Sequence, residues 1–511
     1  MAIRLTSVLL LCLAAATSAS ADPSSPLSAI DWLSNSVTDE PSAQTVAPDE
    51  TTASAPAAIR VLPLDAPVPD AAGTLDAIDA GLPDDLWGRS SARDLAGALA
   101  RVSLSEDAPP SIARFLNVLL QTRLRPPIDA AVDDQFFFAR VDTLLKKGHL
   151  DAAKALLEVA QQNDPQSFRR QFDIALLTGT ETEACRTIET TPELSPTYPA
   201  RIFCLARLGQ FDVAALTLGN AETLGILSAE EDALLLHFLD PELFEGEPIP
   251  PAPKLPTPLQ FRLYEAIGER IPTEGLPVPF AFADMTNDVG WKARLGAAER
   301  LAANGAIPFS RLLDVYQERG PSASGGVWER VRAITALSRA VAAQDATQLE
   351  RALPGAWGAA NQGGFAGALA EWLQPSLSRL PTDSTVAHLA FEIALFAEDA
   401  EAAQSFANTS VADRFLLSLA MGRVGSEPAG DALGRAVLRG LAAANAGDAF
   451  EALITDGRQG EALFRALAQL ADGATGNPNT TSLSLAALKR IGLEELARQI
   501  AIELVLIEGA A

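Results

Sequence analysis

Residues 144–160, LLKKGHLDAAKALLEVA, decide how this chain is read. A histidine beside two lysines and an aspartate suggests chemistry, but the apolar spacing points elsewhere. Phe137, Val141, Leu144 and Leu145 fall on one side of a helix over 136–147, and Gly148 is a good terminator for it. Asp151 opens a second helix, in which Ala153, Leu156, Leu157 and Ala160 make an i, i+3, i+4, i+7 stripe. Asn163-Asp164-Pro165 stops that helix. Two short amphipathic helices joined by a tight turn cannot bury their faces alone and need neighbours of the same kind. The stretch therefore reads as one stacking hairpin, with His149 a solvent-exposed residue of the turn.

The theme recurs in both directions along the chain. A helix ends at Thr178-Gly179, after which Thr180 and Glu183 have capping-box spacing. ARIFCLARLGQFDVAALTLGNA then repeats the order small residue, leucine, glycine, turn and Ala-rich helix, and Ser228 with Glu231 caps the helix that ends at Asp240-Pro241. Residues 245–258, EGEPIPPAPKLPTP, carry six prolines and cannot be helical. They separate an N-terminal block, 76–244, from a C-terminal block, 259–511, or form a strap across one of them. Beyond them helices are predicted over 259–271, 290–304, 308–319, 325–343, 345–353, 364–379, 384–397, 399–407, 410–421, 428–445 and 447–455, with a final pair ending near Ile507. GPSASGGVW lacks the Gly-Lys-Ser/Thr of a phosphate loop and follows no strand, so it reads as the start of a helix.

LLKKGHLDAAKALLEVA and LARLGQFDVAALTLGNA resemble degenerate tetratricopeptide-type helix–turn–helix units, with looser echoes in IALFAEDAEAAQSFA and LKRIGLEELARQIAIEL. The likeness covers about a third of the chain; the spacing is irregular and the full aromatic set of those repeats is absent. It implies an all-α fold, a right-handed α-solenoid of antiparallel helical hairpins, and a binding role. It carries over no ligand-holding residue.

Composition agrees with helices. Hydrophobic residues make up 48% and aromatics only 6% of the 511 residues, and alanine and leucine dominate. The formal net charge of −26 repels phosphate backbones and anionic headgroups, which argues against nucleic-acid binding. Arg4, the apolar run LTSVLLLCLAAATSA and the small-x-small pattern ASA at 19–21 read as a signal peptide cleaved after Ala21. No later run of about 20 apolar residues follows, so no stable membrane span is expected and a periplasmic location is. Residues 22–75 are rich in Pro, Ser and Ala and read as disordered. Within them a short helical motif at 26–38 places Leu27, Ile30, Leu33 and Val37 on one face beside Trp32. This motif either docks into a partner or folds back onto its own chain.

Removal of the leader leaves two cysteines, Cys185 and Cys204. They lie about equally far from a Pro192–Pro196 turn between two helices, at the same height of an antiparallel hairpin, and an exported chain favours their pairing. The alternative is two buried thiols.

Candidate chemistry is sparse. His149, His237 and His388 are far apart, and the last two read as satisfied or partly exposed helical residues. There is no zinc-spaced cysteine pair, EF-hand loop, nucleophile elbow or dinucleotide-binding glycine pattern. Most of Asp133-Asp134, Glu230-Glu231-Asp232, Glu398-Asp399 and Glu494-Glu495 fall at helix starts, where negative charge complements the dipole. No catalytic, cofactor-binding or metal-binding residue is assigned.

The leading expectation is a protein–protein interaction scaffold or assembly factor of the bacterial cell envelope. The alternative is a helical-toroid hydrolase or lyase acting on cell-wall or other glycans, with an acid near a tryptophan in a deep cleft of 259–511. A small-molecule-binding protein with α/β lobes is disfavoured by the lack of strands.

Overall fold

The computed structural model describes residues 68–105, 108–130, 134–161, 164–321, 323–473 and 476–510. The expected signal peptide over 1–21, the segment up to residue 67 and the motif Leu27, Ile30, Trp32, Leu33 and Val37 lie outside the described residues.

The fold is all-α. In chain order the helices are α1 (Ala92–Ala100), α2 (Pro110–Gln121), α3 (Gln135–Lys146), α4 (Leu150–Ala160), α5 (Pro165–Thr178), α6 (Glu181–Thr190), α7 (Tyr198–Arg207), α8 (Phe211–Thr223), α9 (Ala229–Leu239) and α10 (Pro258–Ala266). After a 3-10 segment over Val278–Met285 come α11 (Trp291–Ala303), α12 (Phe309–Gln317), α13 (Val327–Ala343), α14 (Ala346–Gln362), α15 (Ala366–Leu377) and α16 (Ala387–Phe396). The chain ends with α17 (Ala400–Phe406), α18 (Val411–Ala420), α19 (Ala432–Ala442), α20 (Asp448–Thr455), α21 (Gln459–Leu470), α22 (Pro478–Arg490) and α23 (Glu494–Ala510). A two-residue parallel bridge, β1 (Leu75–Asp76) with β2 (Thr122–Arg123), is the only strand pairing among the described residues.

Local chemistry sets most boundaries. Ser228 and Glu231 form a capping box on α9, Thr257 and Gln260 form another on α10, and Asp164, Asp345, Asp399 and Asp431 accept from first-turn amides of the helices they open. The box expected at Thr180 and Glu183 is not formed. Thr180 follows Gly179, which is left-handed, and its N–H closes α5 on Ala175 O at 2.8 Å. Its ψ of 22° is not the extended cap geometry, and its hydroxyl meets Thr178 Oγ1 at 3.0 Å instead. Helix α14 does not stop at Leu353, as the following proline suggests, but runs through Pro354 to Gln362. Burial of Ala356, Trp357, Ala359 and Ala360 outweighs the hydrogen bond the proline removes.

Helices adjacent in sequence pack on one another, as α3 on α4, α7 on α8, α13 on α14 and α21 on α22. The first described helices also pack on the last, α1 on α21 and α2 on α23. Trp87 is buried between Phe136, 4.9 Å away and edge-on, and Phe464 of α21, stacked at 5.8 Å. The Arg89 N–H donates to Gly457 O at 2.7 Å.

Residues 68–75, placed by composition in the disordered segment, belong to this assembly. Pro69–Ala71 form a 3-10 turn, and the buried Arg140 of α3 donates to Asp70 O, Ala72 O, Leu120 O and Thr122 O at 2.8–3.2 Å. A segment of small and polar residues can be ordered when a buried guanidinium collects its carbonyls.

Among the described residues there are two hydrophobic cores. The larger draws on residues from both Ala72–Ala160 and Phe261–Leu506, and the smaller on Phe168–Tyr264. Helices on both sides of the Pro-rich segment 245–258 thus share the larger core, so the segment does not divide it. Tyr264 Oη of α10 donates to Pro251 O of this segment at 3.0 Å.

Cys185 of α6 and Cys204 of α7 form a disulfide inside the smaller core, with Cα atoms 4.8 Å apart. Closing this loop stabilises the fold by about 3 kcal/mol through the unfolded chain. Replacing both cysteines by serine should lower the unfolding free energy by about that much in a denaturant titration, and an unchanged midpoint would contradict it. A second test probes the closure. A Cβ at Gly460 of α21 would lie 2.6 Å from Leu95 Cδ2 and 3.0 Å from Trp87 Cε3, both in the core. Gly460→Ala should therefore cost about 1–3 kcal/mol of stability rather than the small gain expected from helix propensity.

Candidate functional site

The quoted turn sits where two parts of the larger core meet. Helix α3 ends in a compact closure: Lys147 N donates to Thr143 O at 3.2 Å, Gly148 N to Leu145 O at 2.9 Å and His149 N to Leu144 O at 2.9 Å. Gly148, at φ +86°, makes this possible, and a Cβ there would press within 3.0 Å of Val278 Cγ1 and 3.3 Å of Ala306 Cβ. The Lys146–His149 turn is thereby docked on the α11–α12 turn. His149 Cε1 lies 3.7 Å from where a Cβ of Gly305 would stand.

This corrects the reading of His149 as solvent-exposed. It is 7% exposed. Burial, and then the charge of Lys147, lower its pKa from 6.5 to about 4. Lys147 is itself lowered to about 8, first by burial and then by Lys146. Of the other histidines, His237 is half-buried with Nδ1 2.8 Å from Ala233 O, while its buried Nε2 meets no hydrogen-bond partner among the described residues, and His388, largely exposed, meets Glu392 and Asp413 at 3.3 and 3.4 Å.

Beside this turn opens a cavity of about 1670 Å³, walled by α1–α3, the α11–α12 turn and the α14–α15 turn with α15. Arg114, Asp142, Lys146, Lys147 and Glu371 line it. The two carboxylates already face cations: Asp142 takes two bonds from the buried Arg170, at 2.6 and 2.8 Å, and Glu371 lies 3.5 Å from Arg114. Lys146 and Lys147 have no ion pair among the described residues. The aromatic side of the cavity is Phe309, 5.1 Å from Trp372 and 6.2 Å from Phe365. Nothing in the sequence pairs residue 148 with 305. The only signal was the Lys-Lys-Gly-His order itself, which stacking alone already explained.

A second surface feature lies on α8. This helix buries Ala214, Leu218 and Ala221, yet Phe211 (55% exposed), Val213 and Leu216 (67% exposed) face outward, continued by Leu224 and Ile226. Val213 and Leu216 are three residues apart and share a stripe. A helix apolar on both sides is normally covered on both.

Among the described residues no group of three or more His, Cys, Asp or Glu is placed to hold a metal ion, and no helix is long and apolar enough to cross a membrane. Comparison with protein-family models, with curated proteins and with solved structures gives no match.

The His149 shift carries a pH dependence. Its folded pKa lies below its unfolded one, so between about pH 6.5 and pH 4 the unfolded chain binds more protons and stability falls as pH falls. The loss is on the order of 2–3 kcal/mol across that window. Denaturant titrations from pH 7 to pH 4 should show it, with a shallower fall in His149→Asn. An identical pH slope in the variant would mean that the imidazole is not buried neutral.

Proposed function

We propose that this chain is an exported, periplasmic interaction scaffold of the bacterial cell envelope, built of tetratricopeptide-like helical hairpins whose first described helices close on the last instead of forming an open right-handed solenoid. The observation that carries the reading is the outward apolar stripe of α8. Val213, Leu216 and Leu224 share one exposed face, with Phe211 and Ile226 exposed at either end of the helix, and exposed apolar surface of this kind marks protein contacts. The sequence-ordered packing of neighbouring helices supports repeats. The Cys185–Cys204 bond suits an oxidising compartment, in keeping with the leader read over 1–21. The occupant we assign is an apolar segment of another envelope protein, as the net charge of −26 disfavours close association of two copies.

The glycan-hydrolase alternative has one feature in its favour: Glu371 and Trp372 line one cavity with Phe309. Glycoside hydrolysis ordinarily uses a pair of carboxylates. The other cavity carboxylate, Asp142, is held bidentate by Arg170, and this favours the scaffold.

Photo-crosslinking in the exporting cell tests the scaffold. A crosslinker in place of Leu216 should give one adduct whose mass spectrum contains a second protein, and a crosslinker in place of Glu183, exposed on α6, should not. The variant Phe211→Glu/Val213→Glu should lose more than tenfold of that adduct, about 1.4 kcal/mol, without a change in melting temperature. An adduct only to residues 27–37 of the same chain, or only to a second copy, would defeat the reading.

A further inference from the structure

The cavity beside the Lys146–His149 turn has a charge pattern that packing does not explain. In a chain of net charge −26, two adjacent lysines line the cavity, Lys146 exposed and Lys147 half-buried, with no ion pair among the described residues. Helix C-termini favour lysines, but here the last carbonyls of α3 are already taken by the N–H groups of Lys147, Gly148 and His149. Placing like charges side by side at a partly desolvated site is unfavourable unless an anion compensates them. The neighbouring carboxylates cannot serve, since Asp142 is bound to Arg170 and Glu371 faces Arg114. The pKa of the half-buried Lys147 is lowered to about 8, by its own burial and then by the charge of Lys146.

The rest of the wall supplies an apolar partner. The turn bearing Gly305, against which His149 packs, leads within four residues into Phe309, which meets Trp372 and Phe365. Phe309 and Phe365 are buried and support the half-buried Trp372, the aromatic side chain that adjoins the lysines in one cavity of about 1670 Å³, larger than the roughly 300–1,000 Å³ of ordinary small-ligand pockets and so open to an elongated molecule.

We infer that this cavity binds an elongated small-molecule anion, its carboxylate or phosphate held by Lys146 and Lys147 and its apolar or ring-bearing body laid against the half-buried Trp372, which Phe309 backs from the core. The site is separate from the α8 stripe, so the two proposals stand or fall independently.

Fluorescence titration of the full mature chain with anilinonaphthalene sulfonate, an aromatic anion, and with the uncharged N-phenylnaphthylamine reads the site directly. Lys146→Ala/Lys147→Ala should raise the Kd of the sulfonate dye about tenfold, equivalent to roughly 1.4 kcal/mol, and leave the neutral dye unchanged. Lys146→Arg/Lys147→Arg should retain wild-type affinity and serves as the folding control. At constant ionic strength, displacement by inorganic phosphate or by citrate supports the site and tells a phosphate ligand from a carboxylate one. Displacement by neither overturns it. So does an unchanged sulfonate-dye Kd in the double-alanine variant, or dye binding abolished by Phe211→Glu/Leu216→Glu, which would place the dye on α8.

Discussion

Glu503, on the last described helix, is fully buried and accepts from the Ser111 N–H at 2.8 Å, the Ser111 hydroxyl at 2.6 Å, Gln499 Nε2 at 3.1 Å and Arg114 at 3.0 Å. Burial raises its pKa, while Arg114 and the Ser111 bonds favour the charged form. Taking a carboxylate out of water costs several kcal/mol unless every lone pair finds a donor. Those donors come mainly from α2, nearly 400 positions earlier in the chain. Arg114 also reaches Glu398 at 2.7 Å, a residue held at φ +60° between α16 and α17. Three distant parts of the sequence are therefore tied through one guanidinium and one buried acid.

That constraint organises what lies around it. With α2 on α23 and Trp87 between Phe136 and Phe464, α1–α3 are held facing α11–α15, and the space left between them is the cavity. A stack open at its ends would leave those walls apart. Most of α5–α9 lies outside this closure. It has its own smaller core, fastened by Cys185–Cys204, and its outermost helix keeps an apolar stripe in water. A small core can carry such a helix because the disulfide supplies stability that packing alone does not.

Much of the helical pattern was legible. The stripes at 136–147 and 150–160, the stop at Gly148, the cap at Ser228, the start of α10 and the pairing of Cys185 with Cys204 all follow from neighbours within about twenty residues. The misreadings share a cause. His149 looked exposed because turns usually are, yet a turn some 155 residues away covers it. Thr180 had the right spacing for a capping box, but its backbone was already committed to closing α5. Pro354 looked like a stop, but the aromatic and small residues beyond it were buried. Residues 68–75 looked disordered by composition until Arg140 gathered their carbonyls.

Periodicity, caps and composition by themselves settled that this chain makes helices, roughly where many of them lie, though not α2 or α21, and that Cys185 and Cys204 can meet across one hairpin. Those properties depend on contacts within a turn or two, which a linear pattern records. Only the tertiary structure decided that the first described helices close on the last, that Lys146 and Lys147 face a shared cavity, and that α8 leaves an apolar side uncovered. Each of these depends on which distant surfaces bury one another, and burial between residues hundreds of positions apart leaves no periodic trace along the chain.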